Sequence, residues 1–191
     1  MEKHFPWLHW LIYPVLHSPL AIFLVIFLAR KMTRKNGCLT LQTAKIAPAT
    51  TAMRCLDWAR DCFDIESELK NDTTYNSFLF REEKTALLGT SHHKFREQSL
   101  EYVSQQIAPL DLPYLIVNYT GSGHSGLIKE ILDWAPHVIV AGSKLAIQFL
   151  ENMLHRPFAS PFASVVIKSG HHLDLGRGHE LKFLARFNSG P

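Results

Sequence analysis

The loop at 117–126 contains the residues that could do chemistry, and its sequence is VNYTGSGHSG. It follows an apolar run, Tyr114 to Val117, that is typical of a buried strand, and it precedes apolar residues at helical spacing. Such strand-to-helix junctions are where α/β folds collect their sites, and closely spaced glycines let the backbone approach a ligand. The loop could therefore present a nucleophile, cradle a phosphate group or bind a metal.

Neither a nucleophile nor a phosphate cradle matches the spacing of these residues. A nucleophile elbow places glycine two residues before and two residues after the serine. Ser125 has Gly123 on one side, but Leu127 takes the second glycine position. The backbone amides of residues 121–126 could cradle a phosphate at a helix N-terminus, yet no lysine follows them as in a P-loop.

A metal site needs several histidine or carboxylate ligands that converge, and in this loop only His124 could ligate. The residues by themselves therefore favour a hydrogen-bonded loop histidine over a metal ligand. Other members of the chain's 11 histidines fall into local patterns. His92 and His93 precede a helical pattern, which indicates a surface or capping role, whereas His171 and His172 are predicted in a solvated turn.

Composition and charge exclude several classes of protein. The chain has 191 residues, of which 47% are hydrophobic, and this is enough to bury a core. Its net charge is +3 and no basic cluster alternates with aromatic residues, so nucleic-acid binding is not predicted. The 3 cysteines form no CxxC pair, which indicates a reducing compartment and neither a disulfide framework nor a zinc knuckle.

The elements that must position the loop follow from hydrophobic periodicity. Two short apolar runs, 76–80 and 85–88, are predicted to form a hairpin. Ser143 is predicted to cap a helix whose apolar face is Ala146, Phe149, Leu150 and Met153. The repeated sequence PFAS at 157–164 is interpreted as a loop insertion. Further strands are predicted at 114–117, 138–140, 165–167 and 181–184, and further helices after residue 95 and at 127–132. Strands that alternate with helices predict a sheet packed against helices.

The first 44 residues differ from the rest, and a domain boundary is predicted between 44 and 45. The apolar stretch 7–29, which begins at Trp7 and ends at Ala29, is long enough to cross a bilayer. Its first half contains two prolines, and the basic residues at 30–35 follow it, whereas a secretory signal has its positive charge in front. Two interpretations stay open: a membrane-spanning or anchoring segment, and an untranslated or mis-joined leader.

Eight segments between residues 45 and 183 resemble, in order, the flavodiiron proteins of oxygenic phototrophs. This resemblance implies the N-terminal portion of a metallo-β-lactamase-like αββα sandwich at 45–191. It also implies an oxidoreductase that transfers electrons to dioxygen or nitric oxide, using two irons and FMN, in the chloroplast or in the cytoplasm of a phototroph. The segments are CLDWARDCFDIE (55–66), TTYNSFL (73–79), KTALL (84–88), SHHKFR (91–96), YLIV (114–117), HSGLIK (124–129), AIQFLE (146–151) and LDLG (173–176).

The same resemblance implies that most iron ligands are lost. In the family the strand is followed by H-x-E-x-D-H, whose four charged or imidazole side chains bind the two irons. Here Tyr119, Gly121 and Gly123 occupy the first three of those positions, and His124 is the only match. Gly89 stands where the family usually has aspartate. A metal-dependent hydrolase of the wider superfamily would need H-x-H-x-D-H, and so still more of the missing residues.

Two functions remain. The first is a truncated flavodiiron chain that ends at Pro191, before the remaining ligands and the FMN-binding flavodoxin domain, and that is inactive and without cofactors by itself. The alternative is a non-catalytic subunit that binds a ligand-complete flavodiiron partner in a homo- or hetero-oligomer. Iron content distinguishes them from an active enzyme, because catalysis at a two-iron centre needs both metals bound.

Overall fold

The computed structural model describes residues 39–58, 62–63, 67–68, 73–155, 157–158 and 163–184. The apolar stretch 7–29, residues 159–162 of the repeated PFAS sequence and Pro191 lie outside the described residues, so the expectations for them stay predictions. In the described ranges, no helix is both long and apolar enough to cross a membrane.

A seven-stranded mixed sheet organises the larger part of the chain. Its strands, in their order across the sheet, are β1 (Leu39–Ala47), β2 (Thr50–Asp57), β5 (Thr73–Phe80), β6 (Ala86–Leu88), β7 (Tyr114–Val117), β8 (Ile139–Gly142) and β9 (Ala163–Val166). β5 and β6 pair antiparallel, which confirms the predicted hairpin, whereas β7, β8 and β9 continue the sheet parallel to β6.

Each connection between two neighbouring parallel strands contains at least one helix, because a tight turn cannot join strands that run in the same direction. The helices are α1 (Arg96–Gln106), α2 (Ser122–Ser125), α3 (Ile128–Trp134) and α4 (Lys144–Leu154), with 3-10 turns at His93–Phe95 and Pro109–Asp111. Ser143 caps α4 as predicted, since its hydroxyl oxygen accepts a hydrogen bond of 3.1 Å from the amide of Ala146. The predicted α/β class is confirmed by this alternation of strands and helices.

The two faces of the sheet bury different clusters, as the alternation of side chains along a strand requires. On the helix side, Leu87 and Leu115 pack with Leu132 and Leu150. On the other side, Ile116 and its neighbours pack against a second hairpin. That hairpin consists of β10 (His172–Gly176) and β11 (His179–Lys182), and the Leu175 carbonyl accepts a hydrogen bond of 2.9 Å from the amide of Lys84.

Contacts divide the chain into two compact units, and Asp57–Thr73 belongs to the smaller one. The described part of that segment contains a two-stranded antiparallel pair, β3 (Cys62–Phe63) with β4 (Ser67–Glu68). In the larger unit, β1 runs across the predicted boundary between residues 44 and 45.

The predicted apolar face of α4 is partly wrong. Ala146 and Leu150 are buried as expected, but Phe149 and Met153 are 48% and 43% exposed, and Ile147 is buried instead. The sheet contacts one side of the helix, and successive residues are separated by about 100° around its axis. Ile147 lies on the side of α4 that contacts the sheet, whereas Phe149 and Met153 lie on the exposed side.

The strand limits near the end of the described chain also need correction. His171 and His172 are both exposed as predicted, but His172 begins β10 and is not in a turn. β9 and β11 each begin two residues before their predicted starts. These strands have weak local patterns, because they are stabilised by pairing and by docking of the hairpin on the sheet.

Candidate functional site

The loop after β7 lies at the carboxyl edge of the parallel strands, as the sequence predicts. There it borders a cleft of about 890 Å³ between the ends of β7 and β8 and the first turns of α4. The polar side chains around the cleft are Asn118, Tyr119, Thr120, Ser143, Gln148, Asn152, Lys168 and Ser169. Lys168 is the only charged residue among the described residues that line it, so the cleft offers neutral hydrogen-bonding groups and one cation.

Thr90 fixes the position of the loop. Its amide and its hydroxyl both donate to the carbonyl oxygen of His124, at 2.7 and 3.0 Å. The same hydroxyl oxygen accepts from the amide of Leu127 at 3.3 Å. Gly89, just before it, has a φ of +65°, a conformation that favours glycine, and a Cβ there would lie 3.3 Å from Asn118 Oδ1. The backbone conformation at position 89 is thus suited to glycine.

The hydroxyl of Ser125 is not arranged as a nucleophile. It is buried and donates toward the carbonyl oxygens of Thr120 and Gly121, at 2.7 and 3.1 Å. The amides of His124 and Ser125 both donate to the Gly121 carbonyl. These amides are therefore already used within the loop, which argues against a phosphate cradle.

Aromatic rings take the space beside Gly121 and Gly123, two of the positions to which the family resemblance assigns ligands. A Cβ on Gly121 would lie 2.3 Å from Tyr119 Cε1, and a Cβ on Gly123 would lie 2.7 and 2.8 Å from Tyr75 Cδ1 and Cε1. Tyr75 is 3% exposed and stacks on His92, with 5.3 Å between the ring centroids. Tyr119 is 58% exposed and meets the ring of His124 edge to face at 5.4 Å. Sequence reasoning missed Tyr75, because its inward position in β5 looks like ordinary core.

The side chains of this loop do not fit a two-iron centre. Two irons need several carboxylate and imidazole donors. The loop offers a single imidazole, His124, and no carboxylate. Nowhere in the described ranges do three or more His, Cys, Asp or Glu side chains form a group that could hold a metal.

The histidine pair before α1 has the predicted capping role. His92 caps the 3-10 turn that precedes the helix, because its Nδ1 accepts a hydrogen bond of 3.3 Å from the amide of Lys94. The ring of His93 lies 4.1 Å from that of His92, centroid to centroid, and His93 is exposed. His92 therefore stabilises the 3-10 turn and also contacts Tyr75, while the ring of His93 lies against that of His92.

Cys55 is a buried thiol beneath this region. Burial raises its pKa above the ordinary value of 9.0, although the side chains of Ser91 and Ser99 partly oppose the shift. In the folded state the neutral thiol is favoured, so above pH 9.0 the folded chain holds a proton that the unfolded chain releases.

We expect the free energy of unfolding to fall as the pH rises from 9.0 through the folded-state pKa of Cys55. Other groups titrate in the same range, so the quantity to measure is the difference between the natural chain and Cys55→Ala in urea unfolding. The natural chain should lose stability with pH faster than the variant. Parallel curves for the two proteins would contradict the expectation.

Comparisons with known proteins agree with this fold. No protein-family model matches the chain. A diflavin flavoprotein A 2 of Synechocystis sp. is 59% identical over 150 residues, which are 78% of this chain and 25% of that protein. Diflavin flavoprotein A 1 of the same organism is 47% identical over 150 residues, again 78% of this chain and 26% of that protein.

Solved structures give the same result. The metal-soaked Flv1 flavodiiron core of Synechocystis sp. is 33% identical, with a TM-score of 0.69 over 77% of this chain and 36% of that one. The chain spans about a quarter of the length of the curated relatives it matches. The resemblance inferred from the short segments is confirmed, and the chain belongs to the flavodiiron family.

Proposed function

We propose that the chain takes part in flavodiiron-type electron transfer to dioxygen or nitric oxide in photosynthetic cells, as a member whose own loop does not hold the two irons. In this proposal, residues 45–191 are the N-terminal portion of an αββα sandwich, in whose described part the helices lie outside the seven-stranded sheet and β10–β11 begin the second layer. Similarity to cyanobacterial proteins supports this proposal. A chloroplast or phototroph-cytoplasm location is part of the proposal.

The observation that carries the proposal is the filling of ligand positions by aromatic rings. Reduction of dioxygen or nitric oxide at two irons requires both metals to be bound by carboxylates and imidazoles. At Gly121 and Gly123, the chain lacks the carboxylates, and Tyr119 and Tyr75 crowd the positions from which they would extend. Neighbouring groups can tune a metal site, but they cannot replace its ligands.

Iron content tests the proposal directly. The full chain, produced with iron in excess and desalted, should retain less than about 0.1 iron per chain, because one histidine cannot hold a metal tightly. Plasma mass spectrometry of the protein gives the number. A ligand-complete relative carried through the same steps is the control and should retain iron. Two irons per chain in both proteins would overturn the proposal.

A second candidate function, docking on a ligand-complete flavodiiron partner, is favoured by an exposed apolar stripe on α4. Leu145, Phe149 and Met153 stand at i, i+4 and i+8 and are 78%, 48% and 43% exposed. Val165 and Val166 of β9 are 48% and 42% exposed as well. Exposed apolar patches of this kind mark interaction surfaces in soluble proteins.

Phe149→Glu should remove most binding to such a partner, because a charge in a desolvated apolar contact lacks compensation. Gln148→Glu, which adds the same charge beside the stripe, should leave binding within about threefold of the natural chain. Affinity capture of a ligand-complete flavodiiron protein by the full chain measures both. If the natural chain captures no such protein, docking is wrong, whereas the iron measurement is unaffected.

Membrane attachment through residues 7–29 is a separate proposal, supported by the length and apolar character of that stretch. Fractionation of cells that produce the full chain tests it. The protein should stay in the membrane fraction after an alkaline wash, and a variant without residues 7–29 should not. Recovery of the full chain in the soluble fraction would contradict the attachment.

A further inference from the structure

The strand β9 lies at one end of the seven-stranded sheet, and its outer edge is open. β8 pairs with one side of it, and no strand in the described ranges pairs with the other. The amide of Ile167 donates to the Gly142 carbonyl in β8. Backbone N–H and C=O groups alternate in direction along a strand. Those of Ser164 and Val166 therefore point away from β8, toward the open edge.

The residues of β9 lack the features that protect strand edges. Natural proteins place charged side chains, proline or a bulge at an open edge, because its unpaired N–H and C=O groups bind another strand. β9 has the sequence ASVV, without charge or proline, and its pairing with β8 is regular. All its residues are exposed, Val165 and Val166 by 48% and 42%. This edge is therefore suited to an extended backbone as its partner.

We propose that two copies of the chain pair through β9 about a twofold axis, which continues the sheet from one copy into the other. Antiparallel pairing centred on Val165 places Ser164 of each copy opposite Val166 of the other, in a pair that exchanges both of its backbone hydrogen bonds. At the centre the two Val165 side chains form a directly opposed apolar pair. A twofold dimer uses the same surface on both copies, and the outward groups of β9 are symmetric about Val165.

The helix α4 adds charge complementarity to this pairing. It contacts both β8 and β9, so the axes of the two α4 helices would lie about 10 Å apart, close to the usual distance between packed helices. One side of α4 faces the connection to β9, because Glu151 Oε1 accepts a hydrogen bond of 2.9 Å from the amide of Phe158. Lys144 precedes Glu151 by about two helical turns and lies on the same side.

The twofold axis makes the two α4 helices antiparallel, so Lys144 of one copy faces the half of the other helix that contains Glu151. The dimer thus forms this pair of opposite charges on both sides of the axis, and the carboxylate has a second oxygen with which to accept from Lys144. Phe149 belongs to the apolar stripe, and Glu151 lies about 200° further around the helix. The stripe stays uncovered, so the dimer does not rest on the docking proposal.

Sedimentation equilibrium of the full chain, in a detergent that keeps residues 7–29 in solution, tests the dimer. The natural chain should pass from monomer to dimer as its concentration rises. Ser164→Pro removes an outward N–H without removing a bond to β8, and should weaken dimerisation at least about tenfold. Ser164→Thr, the matched control, keeps the amide and should stay within about threefold of the natural chain. A natural chain that stays monomeric would overturn the proposal, as would equal dimerisation of the two variants.

Lys144→Glu and Glu151→Lys test the arrangement of the helices. Either variant alone brings like charges together across the axis and should dimerise at least about fivefold more weakly than the natural chain. In an equimolar mixture of the two variants, each mixed dimer again has opposite charges on both sides of the axis and should form with roughly the natural affinity. This recovery also shows that both variants are folded. A mixture that dimerises no better than its components would contradict the arrangement, and association unchanged in every variant would place the contact on another surface.

Discussion

Replacing Gly126 with alanine is expected to lower the free energy of unfolding by about 3 kcal/mol or more. A Cβ on Gly126 would lie 2.5 Å from the carbonyl oxygen of Ser122, and 2.9 Å from both the amide nitrogen of His93 and the carbonyl oxygen of Ser91. All three are backbone atoms, so no side-chain rotation can relieve the contact.

The surrounding segments cannot move apart easily. Thr90 joins the segment after β6 to the loop by two hydrogen bonds to the His124 carbonyl, and it also accepts from the Leu127 amide. Separating them to admit a methyl group would break these bonds in a buried place. The position therefore needs glycine for space, not for an unusual backbone angle.

Gly121→Ala is the matched control for this prediction. Its Cβ would also contact another group, the ring of Tyr119, but that side chain is 58% exposed and can rotate away. We expect a loss below about 1 kcal/mol. Urea unfolding of the full chain, followed by tryptophan fluorescence, measures both variants. Similar losses for Gly121→Ala and Gly126→Ala would contradict the backbone argument.

Introducing a carboxylate with Gly123→Asp, a position to which the family resemblance assigns an iron ligand, should also be costly, by roughly 2–4 kcal/mol, and should not create iron binding. The Cβ would lie 2.7 Å from Tyr75 Cδ1. Unlike Tyr119, this ring cannot swing away, because it is buried between His92 and Phe95, with centroids 5.3 and 5.9 Å away. The new carboxylate would also be crowded against an aromatic ring, where it finds no counter-charge.

A double-mutant cycle isolates the contact between the ring and the new side chain. Tyr75→Ala alone should destabilise by about 3 kcal/mol, since it leaves a cavity. In that background Gly123→Asp should cost at least about 1 kcal/mol less than in the natural chain, because its Cβ no longer meets a ring. Additive losses in urea unfolding would show that Tyr75 does not compete with a side chain at 123.

Local sequence determined several elements correctly, because their signals need no distant partner. The continuous apolar run of β7 matched the observed strand residue for residue. Ser143 caps α4, and His92 caps the turn before α1, since each bonds an amide only two or three residues away. The family was likewise evident from short segments in order, which the similarity to cyanobacterial relatives confirms.

Tertiary structure alone decided which surfaces are buried and what fills the space beside Gly121 and Gly123. β1 and β2 were missed, and His172, the first residue of β10, was predicted in a turn, because pairing and docking between residues far apart in sequence stabilise these strands. Phe149 was predicted to be buried, but the sheet contacts another side of α4. A glycine at 121 or 123 shows in the sequence only that no side chain extends from that position. That Tyr119 and Tyr75 take the space follows from packing between residues that no local pattern connects.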